Sequence, residues 1–122
     1  MVTIRYIVNP KHRARNPTPD ATVWTISEWE ELRLFAEAGT KEWRCEKKCL
    51  WNLVHCPKEP IGKDMKGDVW VSKFVGNHNN EWHGYPVRAI GHDIPPAKAM
   101  QEWVALQRMD LATQAKMKKG QL

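Results

Sequence analysis

The chain has 122 residues and a formal net charge of +5, and 42% of its residues are hydrophobic and 27% charged. This length suits a single compact domain over 1–122 with one hydrophobic core, and the composition excludes collagen-like, low-complexity and disordered chains. No apolar stretch approaches the roughly 18 residues of a membrane span, and the N-terminus has no signal-peptide pattern, so we expect a cytoplasmic protein without a membrane partner.

The first twenty residues predict a strand followed by a basic arm. Residues 2–8 are β-branched and partly alternating, which favours a strand. Three prolines then predict an extended loop or mobile arm over about 9–20. Residues 1–19 carry four cations and no acid, so this arm is a candidate for contacting the phosphates of a nucleic acid.

A helix is predicted next from its capping residues. Ser27 and Glu30 match a capping box, in which the hydroxyl accepts a bond from the backbone N–H three residues on. The helix should begin at Glu28 and end near Ala38, with Gly39 as its stop. The residues predicted to face the core are Leu32, Phe35 and Ala36.

Residues 40–55 fit a second helix, and they are also compatible with a strand. As a helix, the spacing of Cys45, Cys49 and Cys56 places all three on one face. Three cysteines cannot all pair internally, which indicates free thiols in a reducing compartment. Buried thiols are the expected outcome, so we predict no metal and no cofactor. The alternative is a zinc site on these three cysteines, although no Cys-x-x-Cys pair is present.

The region that follows predicts a connecting loop and a β-hairpin. Residues 58–68 mix charge with proline and glycine, which is typical of a loop. Residues 69–90 then give a strand, a turn rich in asparagine, and a return strand. Pro86 cannot donate to a ladder, which indicates an edge or a bulge at that position.

The C-terminal part is predicted to be helical. Pro95 and Pro96 suit the first positions of a helix, and Asp110 is a candidate cap for another, so 95–119 is either one helix or two. A basic tail follows at about 116–122. The elements together predict an α+β fold with a small antiparallel sheet of about three strands, including the 69–90 hairpin, packed by three or four helices.

Tryptophan is unusually abundant, with seven residues against two tyrosines and two phenylalanines. A domain of this size cannot comfortably bury seven indoles, each of which needs a partner for its N–H. We therefore expect one or two to reach the surface. An exposed tryptophan can stack on bases or anchor a protein interface.

The hairpin concentrates the candidate catalytic residues. His78 and His83 can divide general-base and general-acid work near neutral pH. Tyr85 shares a strand face with His83, and Lys73 or Arg88 can stabilise charge on a phosphorane. This set suggests a metal-independent ribonuclease that uses the 2′-hydroxyl of RNA as its nucleophile. The alternative is an ordinary polar turn.

Three functions remain after the motifs of nucleotide-driven motors, dinucleotide enzymes and common hydrolases are found to be absent. The first is binding of RNA, DNA or a nucleoprotein. The second is a protein-binding inhibitor or adaptor with a tryptophan-rich face, and the third is the ribonuclease, so whether the protein is an enzyme stays open. The candidate nucleic-acid contacts are Lys11, Arg13, Arg15, Lys47, Lys48, Trp82 and Arg88.

Overall fold

The structure is a computed structural model that describes residues 3–122, which share one core. Its strands are β1 (Arg5–Tyr6), β2 (Val23–Trp24), β3 (Leu50–Asn52), β4 (Gly62–Asp64), β5 (Gly67–Val69), β6 (Val71–Gly76) and β7 (Glu81–Val87). Its helices are α1 (Glu28–Lys41), α2 (Ala97–Ala105) and α3 (Leu111–Lys118), with short 3-10 helices at Pro10–Arg13 and Gly91–Asp93. No helix within the described range is long and apolar enough to cross a membrane.

The strands form two sheets, so the predicted single sheet of about three antiparallel strands is wrong. One sheet has four strands in the order β1-β7-β6-β3 and is mixed, because β1 runs parallel to β7. The other has three antiparallel strands in the order β2-β4-β5. Residues 3–122 therefore contain seven strands and three α-helices. Five of the strands have only two or three residues, too few for an alternating pattern to show in the sequence.

The predicted hairpin is present as β6 and β7. Lys73 pairs with Tyr85 and Val75 with His83, so these side chains share one face of the sheet. The opposite face packs against α1 through residues such as Phe74. Strand β1 pairs with only the first two residues of β7. At Pro86, β7 therefore has a neighbouring strand on one side only, which suits a residue without a backbone N–H.

Residues 40–55 do not form the predicted second helix. The chain leaves α1 at Glu42, which has a left-handed φ of 55°, and Arg44 then pairs with Leu50 across a tight turn. β3 follows and pairs with β6. Because Trp43 and Trp51 are both fully buried on the sheet side of this turn, burial of the two indoles favours the strand over the helix.

Helix α1 begins at its predicted cap, where the Ser27 hydroxyl accepts a bond from the Glu30 N–H at 3.1 Å. It continues through Gly39 to Lys41, two residues past its predicted stop. Its buried face also differs from the predicted one, because Leu32 and Ala36 are exposed and Phe35 is half-buried. The buried residues are Glu31, Leu34 and Ala38.

In the remaining segments, the predicted loop at 58–68 is wrong, and the choice between one and two helices at 95–119 is decided. Residues 58–68, predicted as a loop, contain β4 and the start of β5. The 95–119 region forms two helices, and the Asp110 carboxylate caps the second by accepting a bond from the Thr113 N–H at 2.7 Å. Of the predicted strand at 2–8 the structure has only β1, and Val2 lies outside the described residues.

Four tryptophans belong to the core and one lies on the surface, which confirms the prediction that one or two of the seven are exposed. Trp29 is 68% exposed, while Trp70 and Trp82 are half-buried. The rings of Trp43 and Trp103 meet edge to face with centroids 5.7 Å apart. The indoles therefore serve mainly as large core residues.

Two glycine-to-alanine substitutions should change stability in opposite directions. A Cβ at Gly84 would lie 2.3 Å from a ring carbon of Phe74 and 2.8 Å from the Tyr6 hydroxyl, so Gly84→Ala should destabilise by about 1–3 kcal/mol through overpacking. At Gly39, inside α1, the nearest atom is a Leu50 methyl at 3.9 Å, so Gly39→Ala should stabilise by about 0.5–1 kcal/mol. Urea unfolding measures both, and equal stabilities would contradict the packing at Gly84.

Candidate functional site

A surface groove of about 760 Å³, here called the histidine groove, lies beside β7 and the first 3-10 helix. It is bounded by the Thr18–Thr22 loop on one side and by the turn between β4 and β5 on the other. His12, His83 and Tyr85 bring three rings to this groove. A cavity of this size is in the range of small-molecule and nucleotide sites.

His12 is held in one tautomer by the backbone. Asn9 caps the 3-10 helix by accepting a bond from the Lys11 N–H, which directs His12 toward the Thr18–Thr22 loop. The Nδ1 atom lies 2.8 Å from the carbonyl oxygen of Thr22. Because a carbonyl only accepts, Nδ1 carries the hydrogen and Nε2 keeps its lone pair in the neutral ring.

The surroundings of His12 keep its ring neutral. Burial lowers the pKa of His12, and the charges of Lys11 and His83 lower it further, while the bond to Thr22 opposes these effects. The Nε2 atom makes no hydrogen bond to residues 3–122. His12 therefore has an unprotonated nitrogen available beside the groove at neutral pH.

Tyr85 and His83 complete this side of the groove. The Tyr85 ring stacks on His12 with centroids 5.1 Å apart and planes 19° apart, and the His83 ring lies 6.5 Å from Tyr85. Burial raises the pKa of Tyr85, so its phenol stays protonated and can donate a hydrogen bond. The groove thus holds two imidazoles and a hydroxyl on adjacent positions.

Two cations near these rings are held in ion pairs. Lys73 Nζ lies 2.9 Å from an Asp93 carboxylate oxygen and 5.1 Å from the centre of the Trp51 ring. Arg88 donates two bonds to Asp64, at 2.7 and 2.8 Å. These pairs fix the cations in place while leaving little net charge at either position.

The histidine groove also contains two lysines without ion pairs. Lys11 and Lys66 line it, and no ion pair within residues 3–122 engages either one. The Asp20 carboxylate lines the groove and opposes their charge. The groove is therefore weakly basic when both histidines are neutral.

A second depression, here called the basic cleft, lies at the end of the β6–β7 hairpin and has a volume of about 300 Å³. Its lining holds cations and no carboxylate. The charged and titratable residues that line it are Arg44, Lys47, Lys48, Cys49 and His78. Trp82 forms part of the same lining, so the cleft combines positive charge with an aromatic surface.

A smaller cleft of about 190 Å³ links these two sites. It shares Asn77 with the basic cleft, and it shares Asn9 and His83 with the histidine groove. The three depressions are therefore contiguous around the end of the hairpin.

The structure separates the candidate catalytic residues into two places. His83 and Tyr85 line the histidine groove, with Lys73 beside Tyr85 on the same sheet face. His78 lies in the basic cleft instead. The imidazole that shares the groove with His83 is that of His12, which sequence reasoning treated only as part of the basic arm.

The candidate nucleic-acid contacts also divide. Those in the basic cleft are Lys47, Lys48 and Trp82, and those in the histidine groove are Lys11 and Arg88. Arg15 is exposed and lines neither site. Arg13 points into the protein, so it is not free to meet a phosphate.

Arg13 anchors the 3-10 helix that carries His12. Its guanidinium donates to a Glu31 carboxylate oxygen and to the Ile26 carbonyl, both at 2.5 Å. Glu31 is fully buried and also accepts a bond from the Tyr6 hydroxyl. This buried cluster ties the neighbour of His12 to α1 and so helps to set the position of the imidazole.

The cysteines do not share one site. Cys45 and Cys49 face each other across the turn before β3, whereas Cys56 is buried in the core and its N–H donates to the Arg108 carbonyl. Burial raises the pKa of the Cys56 thiol to about 11. Within the described residues, no three His, Cys, Asp or Glu side chains are grouped to hold a metal ion.

Comparison of the chain with protein-family models, with curated proteins and with solved structures finds no match.

Proposed function

We propose that this protein binds single-stranded RNA in the cytoplasm, with the strand lying along the basic cleft and the histidine groove. The observation that carries this proposal is the series of unpaired cations on contiguous clefts. Lys47 and Lys48 lie at one end and Lys11 and Lys66 at the other. Three free cysteines are in keeping with a reducing compartment.

The charge layout supports a phosphate backbone as the ligand. Lysines without carboxylate partners are free to replace the counterions of a polyanion, which is the main source of affinity for nucleic acids. The basic cleft has no acid in its lining to oppose this. Arg88 and Lys73 are each held in an ion pair with a carboxylate, so they have fixed orientations and add little net charge to this surface.

Aromatic surfaces along the same path support an unpaired strand. Trp82 lies half-exposed in the basic cleft and Tyr85 half-exposed in the histidine groove. Bases of a single strand stack on such side chains, whereas a duplex keeps its bases inside.

Substituting the cleft lysines should reduce both the affinity for RNA and its dependence on salt. Removing one lysine that neutralises a phosphate reduces the slope of log K against log salt by about 1, so Lys47→Ala and Lys66→Ala should each do so, and the double variant should reduce it by about 2. Fluorescence anisotropy of a labelled oligoribonucleotide between about 50 and 200 mM salt measures this.

Lys98→Ala is the matched control, because Lys98 is exposed on α2 and lines neither cleft. It should leave the salt slope unchanged. An RNA affinity that does not change with salt, or an equal reduction of the salt slope in Lys47→Ala, Lys66→Ala and Lys98→Ala, would contradict the proposal and favour the protein-binding function instead.

The two imidazoles in one groove favour a second function, metal-independent cleavage of the bound RNA. The observation behind it is that Nε2 of His12 has a free lone pair while His83 lies in the same groove. One histidine acting as base and the other as acid is sufficient to cleave RNA through its own 2′-hydroxyl.

The chemistry can be written with each proton assigned. Nε2 of His12 takes the proton of the 2′-hydroxyl, and the 2′-oxygen attacks phosphorus. The bond from phosphorus to the 5′-oxygen breaks, and protonated His83 gives its proton to that oxygen. The products are a 2′,3′-cyclic phosphate and a free 5′-hydroxyl. Tyr85 lines the same groove, where its hydroxyl can donate a hydrogen bond to the charged oxygens of the phosphorane.

Incubation of end-labelled RNA with the protein in excess EDTA tests this function. We expect shortened RNA with cyclic phosphate ends, and we expect DNA of the same sequence to stay intact because it lacks the 2′-hydroxyl. RNA that is bound but remains whole would leave the binding function standing and exclude cleavage.

A further inference from the structure

Cys45 and Cys49 are opposite each other in the turn that leads into β3. The Cys45 N–H donates to the Cys49 carbonyl at 3.0 Å, and the Lys48 N–H donates to the Cys45 carbonyl at 2.8 Å. Arg44 and Leu50 pair on the outer side of the same turn. Opposed residues that are hydrogen-bonded in this way have Cα atoms about 5.5 Å apart, which lies inside the range of about 4.4–6.8 Å over which a disulfide forms.

A buried donor lies against this pair. Trp51 is 1% exposed, and its indole N–H has no hydrogen-bond partner within the described residues. The indole lies near Cys45 and acts to lower the pKa of that thiol. A neutral thiol is a weak acceptor and a thiolate a strong one, so the unpaired N–H is best satisfied when Cys45 is ionised.

The two thiols are electrostatically unequal. Burial acts to raise the pKa of Cys45, but the Trp51 indole and backbone N–H groups outweigh it and leave that pKa below the usual value. Burial, and then the charge of the neighbouring Cys45, raise the pKa of Cys49. A pair in which one thiol has a lower pKa than its neighbour is the arrangement found in dithiols that perform disulfide exchange.

The geometry points to Cys45 and Cys49 as a redox-active dithiol that exchanges with small anionic disulfides. Cys45 is half-exposed and acts as the attacking thiol, and Cys49 acts as the resolving thiol. The basic cleft beside Cys49 carries Arg44, Lys47 and Lys48 without a carboxylate, which selects a negatively charged partner. This inference is independent of the proposed RNA function, although the two share the basic cleft.

The exchange balances without a metal or a further oxidant. The Cys45 thiolate attacks one sulfur of the small disulfide, which forms a mixed disulfide and releases one thiolate. The Cys49 sulfur then attacks Cys45, which releases the second thiolate and closes the intramolecular bond. The protein dithiol loses two electrons and two protons, and the small disulfide is reduced to two thiols.

Reaction of the full chain with glutathione disulfide tests the inference. The intact mass of the wild type should fall by two hydrogens as two glutathiones are released. Cys49→Ser should stop at a glutathione adduct on Cys45, and Cys45→Ser should react about tenfold more slowly than Cys49→Ser because the remaining thiol is less ionised. Cys56 is the internal control and should stay unmodified in the folded protein.

The charge of the disulfide gives a second readout. Glutathione disulfide is anionic and cystamine is cationic, so the wild type should react faster with glutathione disulfide, and Lys47→Glu should reduce that preference. A stable adduct on wild-type Cys45, or equal rates for Cys45 and Cys49, would overturn the assignment. Equal rates with both disulfides would overturn the choice of an anionic partner.

Discussion

Replacing His12 by alanine should lower the rate of RNA cleavage by about 10²–10⁴-fold, the range that a general base contributes. The reason is that Nε2 of His12 is the free nitrogen of a ring whose other nitrogen is held by the Thr22 carbonyl at 2.8 Å. His83→Ala should cause a loss of similar size by removing the acid. Rates of cyclic phosphate formation in EDTA, with RNA affinity measured in parallel, separate lost chemistry from lost binding.

His92→Ala is the matched control, because His92 is exposed and lies outside the groove lining. Its rate should equal that of the wild type. Urea unfolding of His12→Ala establishes that the variant is folded, since His12 is only 8% exposed. A folded His12→Ala protein that cleaves within about twofold of the wild-type rate would rule out His12 as the base.

The dependence of the cleavage rate on pH should reflect the lowered pKa of His12. A base acts only when unprotonated, so the rate should rise with pH through the pKa of His12, below about 6.5, the usual value for histidine. Lys11→Gln removes a charge that lowers this pKa and should move the rising limb to higher pH. The lowered pKa also makes folding stability fall as pH drops below the unfolded value.

The parts of the fold that the sequence predicts well are the long periodic ones. Helix α1 has a capping box and β6 and β7 have six and seven residues of β character, so local pattern is enough to locate them. The parallel pairing of Arg5 with Glu81 joins distant stretches of chain through a strand of two residues. No local periodicity reports such a contact, so the sequence does not predict the mixed strand order. The second sheet was missed because β2, β4 and β5 have only two or three residues each.

The cysteine spacing shows why one pattern can indicate two structures. Residues four apart share a helix face, and they also stand opposite each other across a three-residue turn, as Cys45 and Cys49 do. The choice is made by long-range packing, because Trp51 gains a buried position beside β6 only when residues 50–52 are a strand. Sequence spacing alone therefore could not decide between helix and turn.

Only the β7 residues of the histidine groove are predicted from the sequence, because long-range packing determines the rest of the groove. His83 and Tyr85 are two residues apart on one strand, so alternation places them together. His12 comes from a distant 3-10 helix, which Arg13 anchors to α1 and which the bond from His12 to the Thr22 carbonyl also helps to hold. In the sequence, Arg13 looks like any cation in a solvated arm, and its buried partner Glu31 looks like an acid in the first turn of a helix.

Replacing Glu31 by alanine should destabilise the protein strongly, by about 3–5 kcal/mol, because it leaves the Arg13 guanidinium without its ion partner in a largely buried place. Glu31 is fully buried and also accepts the Tyr6 hydroxyl bond, so two donors lose their acceptor at once. The midpoint of urea unfolding measures the loss. Because Arg13 adjoins His12, any folded fraction should also cleave RNA more slowly.

Two further variants separate a lost ion pair from a lost side chain. Glu28→Ala removes an exposed carboxylate from the first turn of the same helix and should cost less than about 1 kcal/mol. The double variant Glu31→Leu/Arg13→Met replaces the pair by apolar side chains, and it should be more stable than Glu31→Ala alone since no buried charge remains uncompensated. If Glu31→Ala were as stable as Glu28→Ala, the carboxylate would not anchor the His12 turn, and the position of the imidazole would depend on its other contacts, such as the bond to Thr22.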